Sequence, residues 1–347
     1  MTQEELSDAL NGIQLSEGLI RIEESLPLSG KIGSVPLQRL NRSPLLPGET
    51  EFSPSIYLDT ETTGLAGGSG TLAFLVGIAT VEERAVRLTQ FLITSFSAES
   101  ALLNQLADTI SEDHRLVSYN GKSYDLPLLI TRFRMQGLQP PFDELDHLDL
   151  LHPVRRLYGR RWPDCRLETV ENRLLSLSRE DDLPDAEAPE AWFAYMRTGD
   201  GERLIKTVEH NRQDILSLIA AHHVIAEAVQ SPVEQNVDLY GLARWQLQID
   251  EAEALDLPDH HSEHLCDDGK RLLGQLLRRN HLWESAVPIW ESLAERGCLD
   301  SIERLAKYHE HVSKNLITAL QYCRMLPGSE PDEYRFNRLE KKLRRAC

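Results

Sequence analysis

The amino-acid sequence predicts an α/β domain with a mixed sheet, followed by an all-α domain. Three observations carry this. Short β-branched and apolar runs bounded by turn residues fill residues 55–93, and from 97 to 136 a helical period, a short strand and a second helical period follow in turn. From residue 267 onward Leu, Ala and Trp recur at helical spacing, with breaks at Gly297 and at Pro327 and Gly328. A chain of 347 residues, 41% hydrophobic and 27% charged, is also long and apolar enough to bury two cores.

Taken in order, residues 1–50 show no clear period and read as a lead-in segment, with a short helix at 4–10 and then a Pro/Ser/Gly-bearing stretch. Residues 55–59 (SIYLD) are a short apolar run ending on a carboxylate, a buried strand by length and flanks. After the glycine-rich GLAGGSG, residues 72–81 and 86–93 read as strands joined by the charged turn VEERA. Residues 97–110 have a helical period with Ser97 as N-cap, 116–119 form a strand closed by Asn120 and Gly121, and 123–136 form a helix. Three strands followed by alternating helices and strands imply a mixed sheet. Helices fill 166–230, interrupted by the acidic REDDLPDAEAP. The expected division is a lead-in at 1–50, an α/β domain at 51–230, a linker with a connecting helix at 231–266 and a helical domain at 267–347.

Composition excludes several classes. The longest apolar run, residues 71–81, is too short to span a bilayer, and the acidic start MTQEELSD lacks the basic and apolar regions of a signal peptide. Five scattered cysteines without a Cys-x-x-Cys support neither a disulfide framework nor a structural zinc site. These features predict a cytoplasmic protein with no membrane partner. A net charge of −18 opposes non-specific nucleic-acid binding, unless some acids are metal ligands and the bases are clustered.

Asp59 and Glu61 sit two apart at the end of the first of these strands and so point to one face. Two converging carboxylates repel unless a cation lies between them, and hard oxygen ligands suit Mg²⁺ or Mn²⁺. Asp125, in NGKSYDLP, falls in the first turn of a helix, where the helix dipole alone would favour an acid. His210 and Asp214 are four apart on a long helix and share a face, as an ordinary surface pair also would.

Together DTETTG, NGKSYDLP and HNRQD resemble, in chain order, the three exonuclease motifs of the DEDD superfamily, a branch of the ribonuclease H-like fold. The segments GLAGGSGTLAFLVGIA, DLLHPVRRLYGRRWPDCRLETVE and APEAWFAYMRTGD are similar to those of the YprB-like ribonuclease H-like family, so the resemblance covers roughly residues 50–230. WESAVPIWESLAERG and IERLAKYHEHVSKNLITALQYCRML each resemble a tetratricopeptide-like helix–turn–helix. The superfamily's third motif carries either a tyrosine or a histidine before its aspartate, at different spacings. Here three residues separate His210 from Asp214, the spacing of the tyrosine class with histidine in that place.

The resemblance implies a metal-dependent 3′→5′ exonuclease acting on single-stranded DNA or RNA. Asp59, Glu61, Asp125 and Asp214 would hold two Mg²⁺ or Mn²⁺ ions about 3.5–4 Å apart, and His210 would accept the proton of the attacking water. A structure-selective endonuclease cutting RNA in a hybrid would use the same metals, and a non-catalytic nucleic-acid-binding adaptor is the alternative of another class. Retention of four mutually repelling acids speaks against the adaptor.

Arg155, Arg156, Arg160, Arg161 and Arg166 fall within twelve residues with Tyr158 and Trp162 interleaved, which reads equally as a phosphate-tracking surface with stacking aromatics or as a solvated basic helix face. Asn120 and Lys122 are further substrate-contact candidates beside Asp125. GLAGGSG lacks the Lys-Ser/Thr ending of a phosphate loop and reads as a turn beside the metals. His260, His261, His264 and Cys266 lack a second ligand pair and read as linker. The C-terminal helices, with Trp283, Trp290 and Tyr308, read as a surface for a protein partner or as core.

Overall fold

The computed structural model describes residues 1–347 apart from 43, 50–52, 65–69, 180–182, 253, 256–261 and 347. Two compact units divide the chain, Met1–Ser231 and Pro232–Cys347.

The first unit is built on a seven-stranded mixed sheet. Its strands are β1 (Ile13–Ser16), β2 (Leu19–Pro27), β5 (Ser55–Thr62), β6 (Ala73–Val81), β7 (Ala85–Ile93), β8 (Arg115–Ser118) and β9 (His147–Asp149), in the order β1-β2-β7-β6-β5-β8-β9. A separate two-stranded hairpin consists of β3 (Lys31–Ile32) and β4 (Val35–Pro36). The pairs from β1 through β5 are antiparallel, while β5–β8 and β8–β9 are parallel. β6 is the most apolar strand and lies inside the sheet, as a nearly continuous apolar run requires.

Residues 13–27, read from the sequence as part of the lead-in, supply the β1–β2 edge. β2 runs antiparallel to β7 from Leu19 opposite Ile93 to Pro27 opposite Ala85. Its buried Leu19, Ile20 and Ile22 are interrupted by Arg21, Glu23 and Glu24, so its apolar content is too diluted to stand out as a core strand. β9 is three residues long, too short to show a period.

The helices of this unit are α1 (Gln3–Ala9), α2 (Glu99–Thr109), α3 (Asp125–Met135), α4 (Leu151–Tyr158), α5 (Leu167–Val170), α6 (Ala188–Thr198) and α7 (Glu202–Gln230). α2 starts at Glu99 after a 3₁₀ turn over Phe96–Ala98, so the expected cap Ser97 lies inside that turn and its hydroxyl pairs with Ser95 instead, at 2.9 Å. α5 passes directly into a π-helical turn over Glu171–Leu175, ended by Ser176 in a left-handed conformation. α7 packs against β5, β6 and β7. α6 closes the core through Trp192, which is fully buried, stacks on Phe74 at 5.5 Å between centroids and donates its indole N–H to the Ile93 carbonyl at 2.7 Å.

The second unit is helical: α8 (Leu239–Gln246), α9 (Asp267–Arg279), α10 (Trp283–Ala294), α11 (Leu299–His311), α12 (Leu316–Arg324) and α13 (Glu330–Ala346). From α9 onward each helix packs on the next, an arrangement compatible with tetratricopeptide-like pairs. Trp290 fills the centre of this unit against Gly274, where a β-carbon would lie 2.5 Å from the indole nitrogen. Trp283 and Tyr308 pack on the same cluster, with ring centroids 5.7 Å apart, so these aromatics serve the core.

Candidate functional site

Asp59 and Glu61 lie at the end of β5, which is flanked by β6 on one side and β8 on the other. Asp59 is in register with Gly77 of β6. A β-carbon at Gly77 would come within 2.1 Å of Ile215 Cδ1 and 2.3 Å of Asn211 Oδ1, so only glycine lets α7 approach the sheet this closely. That approach sets Asn211 against Asp59, with the Asn211 amide donating to Asp59 Oδ2 at 2.8 Å. Gln90 of β7 fixes the orientation of this amide by donating to Asn211 Oδ1 and to the Val208 carbonyl, each at 2.8 Å.

On the same stretch of α7, His210 Nε2 stands 3.2 Å from Asp214 Oδ2. One ligand atom from each of Glu61, His210 and Asp214 falls within 4.8 Å of the others. Burial raises the Asp59 carboxyl well above the usual aspartate range, and the charges of Asp214, Asp125 and Glu61 raise it further. Burial likewise pushes Asp125 up to about 6, against the hydrogen bond that Thr60 Oγ1 donates to its Oδ1 at 2.5 Å. Three acids thus act on the half-buried Asp59, and their mutual repulsion is the electrostatic demand a hard divalent cation meets. The donor set fits such an ion. The tightest group differs from the four expected ligands: it includes His210, while Asp59, bonded to the Asn211 amide, and Asp125, held by Thr60, stand outside it.

Arg179 also enters this cluster. Its Nε and Nη2 donate to the two oxygens of Glu171 at 2.8 and 2.7 Å, Nη2 also donates to Asp214 Oδ1, and Nη1 lies 3.1 Å from His210 Nδ1. Burial of the guanidinium opposes its charge, but Glu171 and Asp214 outweigh this and raise its pKa.

The second motif is shaped by an acid outside it. Asp149 of β9, buried, accepts the backbone N–H of Asn120 at 2.7 Å and those of Lys122 and Leu151 at 3.1 Å. Asn120 adopts a φ of 64°, and a β-carbon at Gly121 would meet Ser118 Oγ at 2.4 Å, so the chain turns sharply to place Asp125 at the start of α3.

A cleft of about 600 Å³ opens beside the acids, lined by Asp59, Asp214, Asn120, Tyr119, Arg155 and Arg166 among others. Of the expected substrate contacts, Asn120 and Arg155 therefore line the cleft, whereas Lys122, Arg156, Arg160 and Arg161 are exposed and outside its lining. Tyr158 is buried and stacks on Trp162 at 4.2 Å, and Arg173 stands 5.7 Å from the Trp162 ring, so both aromatics are engaged with the protein itself. Residues 65–69 of the glycine-rich turn lie outside the described residues, as do His260 and His261, while the exposed His264 pairs with Glu263 at 3.4 Å. Asn211, Gln90, Gly77, Asp149, Glu171 and Arg179 were not singled out from the sequence. Asn211 lies within HNRQD, and Gly77, Asp149 and Glu171 lie within the longer segments quoted above, so these four fell in stretches already marked, whereas Gln90 and Arg179 did not.

The sheet with its flanking helices and the acids at the end of β5 define a ribonuclease H-like domain. Residues 56–225 match the family RNase_H_2 of the RNase_H superfamily. The chain belongs to the RNase_H superfamily and is 32% identical over 277 residues to YprB of Bacillus subtilis (strain 168), covering 76% of this chain and 67% of that one. Among solved structures, the family B DNA polymerase from the archaeon Pyrobaculum calidifontis aligns at a TM-score of 0.39 and 15% identity, over 65% of this chain and about a third (34%) of the polymerase. A ribonuclease H-like fold is commonly that of a metal-dependent nuclease. Among the described residues no helix is long and apolar enough to cross a membrane.

Proposed function

We propose that the first unit is a metal-dependent 3′→5′ exonuclease that hydrolyses phosphodiester bonds of single-stranded DNA or RNA. The observation that carries this reading is the gathering of Asp214, Asp125 and Glu61 around the half-buried Asp59, beside a cleft with Arg155 and Arg166 on its wall. Two Mg²⁺ or Mn²⁺ ions held by Asp59, Glu61, Asp125 and Asp214 would supply the positive charge that activates water and stabilises the departing 3′ oxygen. Arg155 and Arg166 bind backbone phosphate at the cleft, and Asn120 orients the terminal nucleotide. His210 takes the proton of the attacking water through a ring nitrogen, and Asn211 holds Asp59 in place by its amide. The helical unit serves as the docking site for a protein partner.

The test is incubation of the purified chain and Mn²⁺ with single-stranded DNA, single-stranded RNA and an RNA–DNA hybrid, each labelled at the 5′ end. Successive shortening of a single strand with release of nucleoside 5′-monophosphates is expected. Internal cuts confined to the hybrid indicate the structure-selective endonuclease instead, and binding without cleavage indicates an adaptor.

A further inference from the structure

Arg179 lies outside the three acidic motifs, yet its guanidinium ends on the third. Its anchor is Glu171, 1% exposed, whose two oxygens take Nε and Nη2 in a fork. Glu171 is itself tied to α7, since Ser217 Oγ donates to Oε1 and Gln213 Nε2 donates to Ser217 Oγ at 2.9 Å. The guanidinium is thereby held against the third motif from a fixed base.

An arginine N–H can only donate. The His210 Nδ1 facing Arg179 Nη1 at 3.1 Å therefore presents a lone pair, and the ring proton sits on Nε2, where it is donated to Asp214 Oδ2 at 3.2 Å. Asp214 Oδ1 meanwhile accepts from Arg179 Nη2. Both oxygens of Asp214 and both nitrogens of His210 are thus engaged within this one network. A cation ligated by Asp214 needs one of those oxygens, and a base at His210 needs one of those nitrogens.

We propose that Arg179 is a positioning residue that acts as a built-in counter-cation for Asp214 and His210, and that a divalent cation binds at the third motif in exchange for it. The fork to Glu171 holds the guanidinium nearby while the contacts to Asp214 and His210 are released. The proposal rests on the metal set of the nuclease reading but requires no hydrolysis.

Isothermal titration of Mn²⁺ into the full chain tests it. Arg179→Gln is expected to bind Mn²⁺ at least tenfold more tightly than the parent chain, and to melt at a lower temperature when no metal is added. Adding Asp214→Asn to both proteins removes the difference between them. Should Arg179→Gln fail to fold because Glu171 is left buried and unpaired, the Glu171→Gln, Arg179→Gln chain replaces both charges at once and is compared in the same way. Equal or weaker Mn²⁺ binding in the folded variant overturns the exchange and leaves the nuclease reading standing. Absence of Mn²⁺ binding in parent and variants alike overturns both.

Discussion

Asn211 donates its side-chain amide to Asp59 across 152 positions of sequence, joining the third motif to the first by one hydrogen bond of 2.8 Å. The same amide accepts from Gln90 at 2.8 Å, so one fully buried side chain couples β5, β7 and α7. Replacing it by alanine strands a donor on Gln90 and leaves Asp59 without this neutral partner. Asn211→Ala is expected to lower unfolding free energy by about 1–3 kcal/mol in denaturant titrations. Asn211→Asp costs more, because it sets a carboxylate against Asp59 with no donor between them.

Asp59→Asn removes a charge that burial and three neighbouring acids already disfavour. The amide retains an oxygen for the Asn211 hydrogen bond. Without metal this variant melts at the parent temperature or a few degrees higher, while Mn²⁺-dependent hydrolysis is lost. Calorimetry paired with the nuclease assay checks both halves, and a destabilised Asp59→Asn chain contradicts the electrostatic account.

Gly77→Ala puts a methyl group where Ile215 and Asn211 stand at 2.1 and 2.3 Å. Relief requires α7 to back away from the sheet, at a cost of about 1–3 kcal/mol. Because His210 and Asp214 ride on α7, Mn²⁺ affinity falls together with stability. Calcium or manganese titration beside a chemical melt reveals whether the two losses move together.

Stability against pH reports on His222. Burial lowers its pKa from 6.5 to about 4, and Nδ1 is hydrogen-bonded to the Tyr57 hydroxyl at 2.9 Å. The unfolded chain takes up the proton near 6.5 and the folded chain only near 4, so the stabilisation is complete above about 6.5 and is lost as pH falls through that window. Its full size is on the order of 3 kcal/mol. His147, lowered to about 4 by burial and by the charge of Lys122, titrates over the same range. His222→Gln is therefore expected to flatten the acid limb of a pH–stability curve without abolishing it.

The parts of this architecture that repeat were legible from the residues. The two-residue period of a strand put Asp59 and Glu61 on one face, and the four-residue step on a helix put His210 beside Asp214, as the 3.2 Å contact bears out. The long-range partners had no such period. Arg179 follows the π-helical turn and precedes an acidic run of sequence, where a basic residue looks like simple charge compensation. Asp149 sits on a strand of three residues, and its three N–H partners are defined only once β8 and β9 lie side by side. Gly77 stands in an apolar run where any small residue would fit the pattern, and only the closeness of α7 singles it out.

The π-helical turn over Glu171–Leu175 makes the number of residues in this segment matter as well as their kind. Glu171 and Arg179 stand eight positions apart, and the turn with the left-handed Ser176 after it brings the guanidinium back onto the carboxylate. Deleting one residue from the turn would let it close as ordinary α-helix and shorten that return path by one position. Arg179 would then leave the fork, and Glu171 would keep Ser217 alone. A lineage that loses one position there loses its reason to keep a basic side chain at 179. Gap placement and the identity of that residue are inherited as a single character, which a comparison of homologous sequences can read directly.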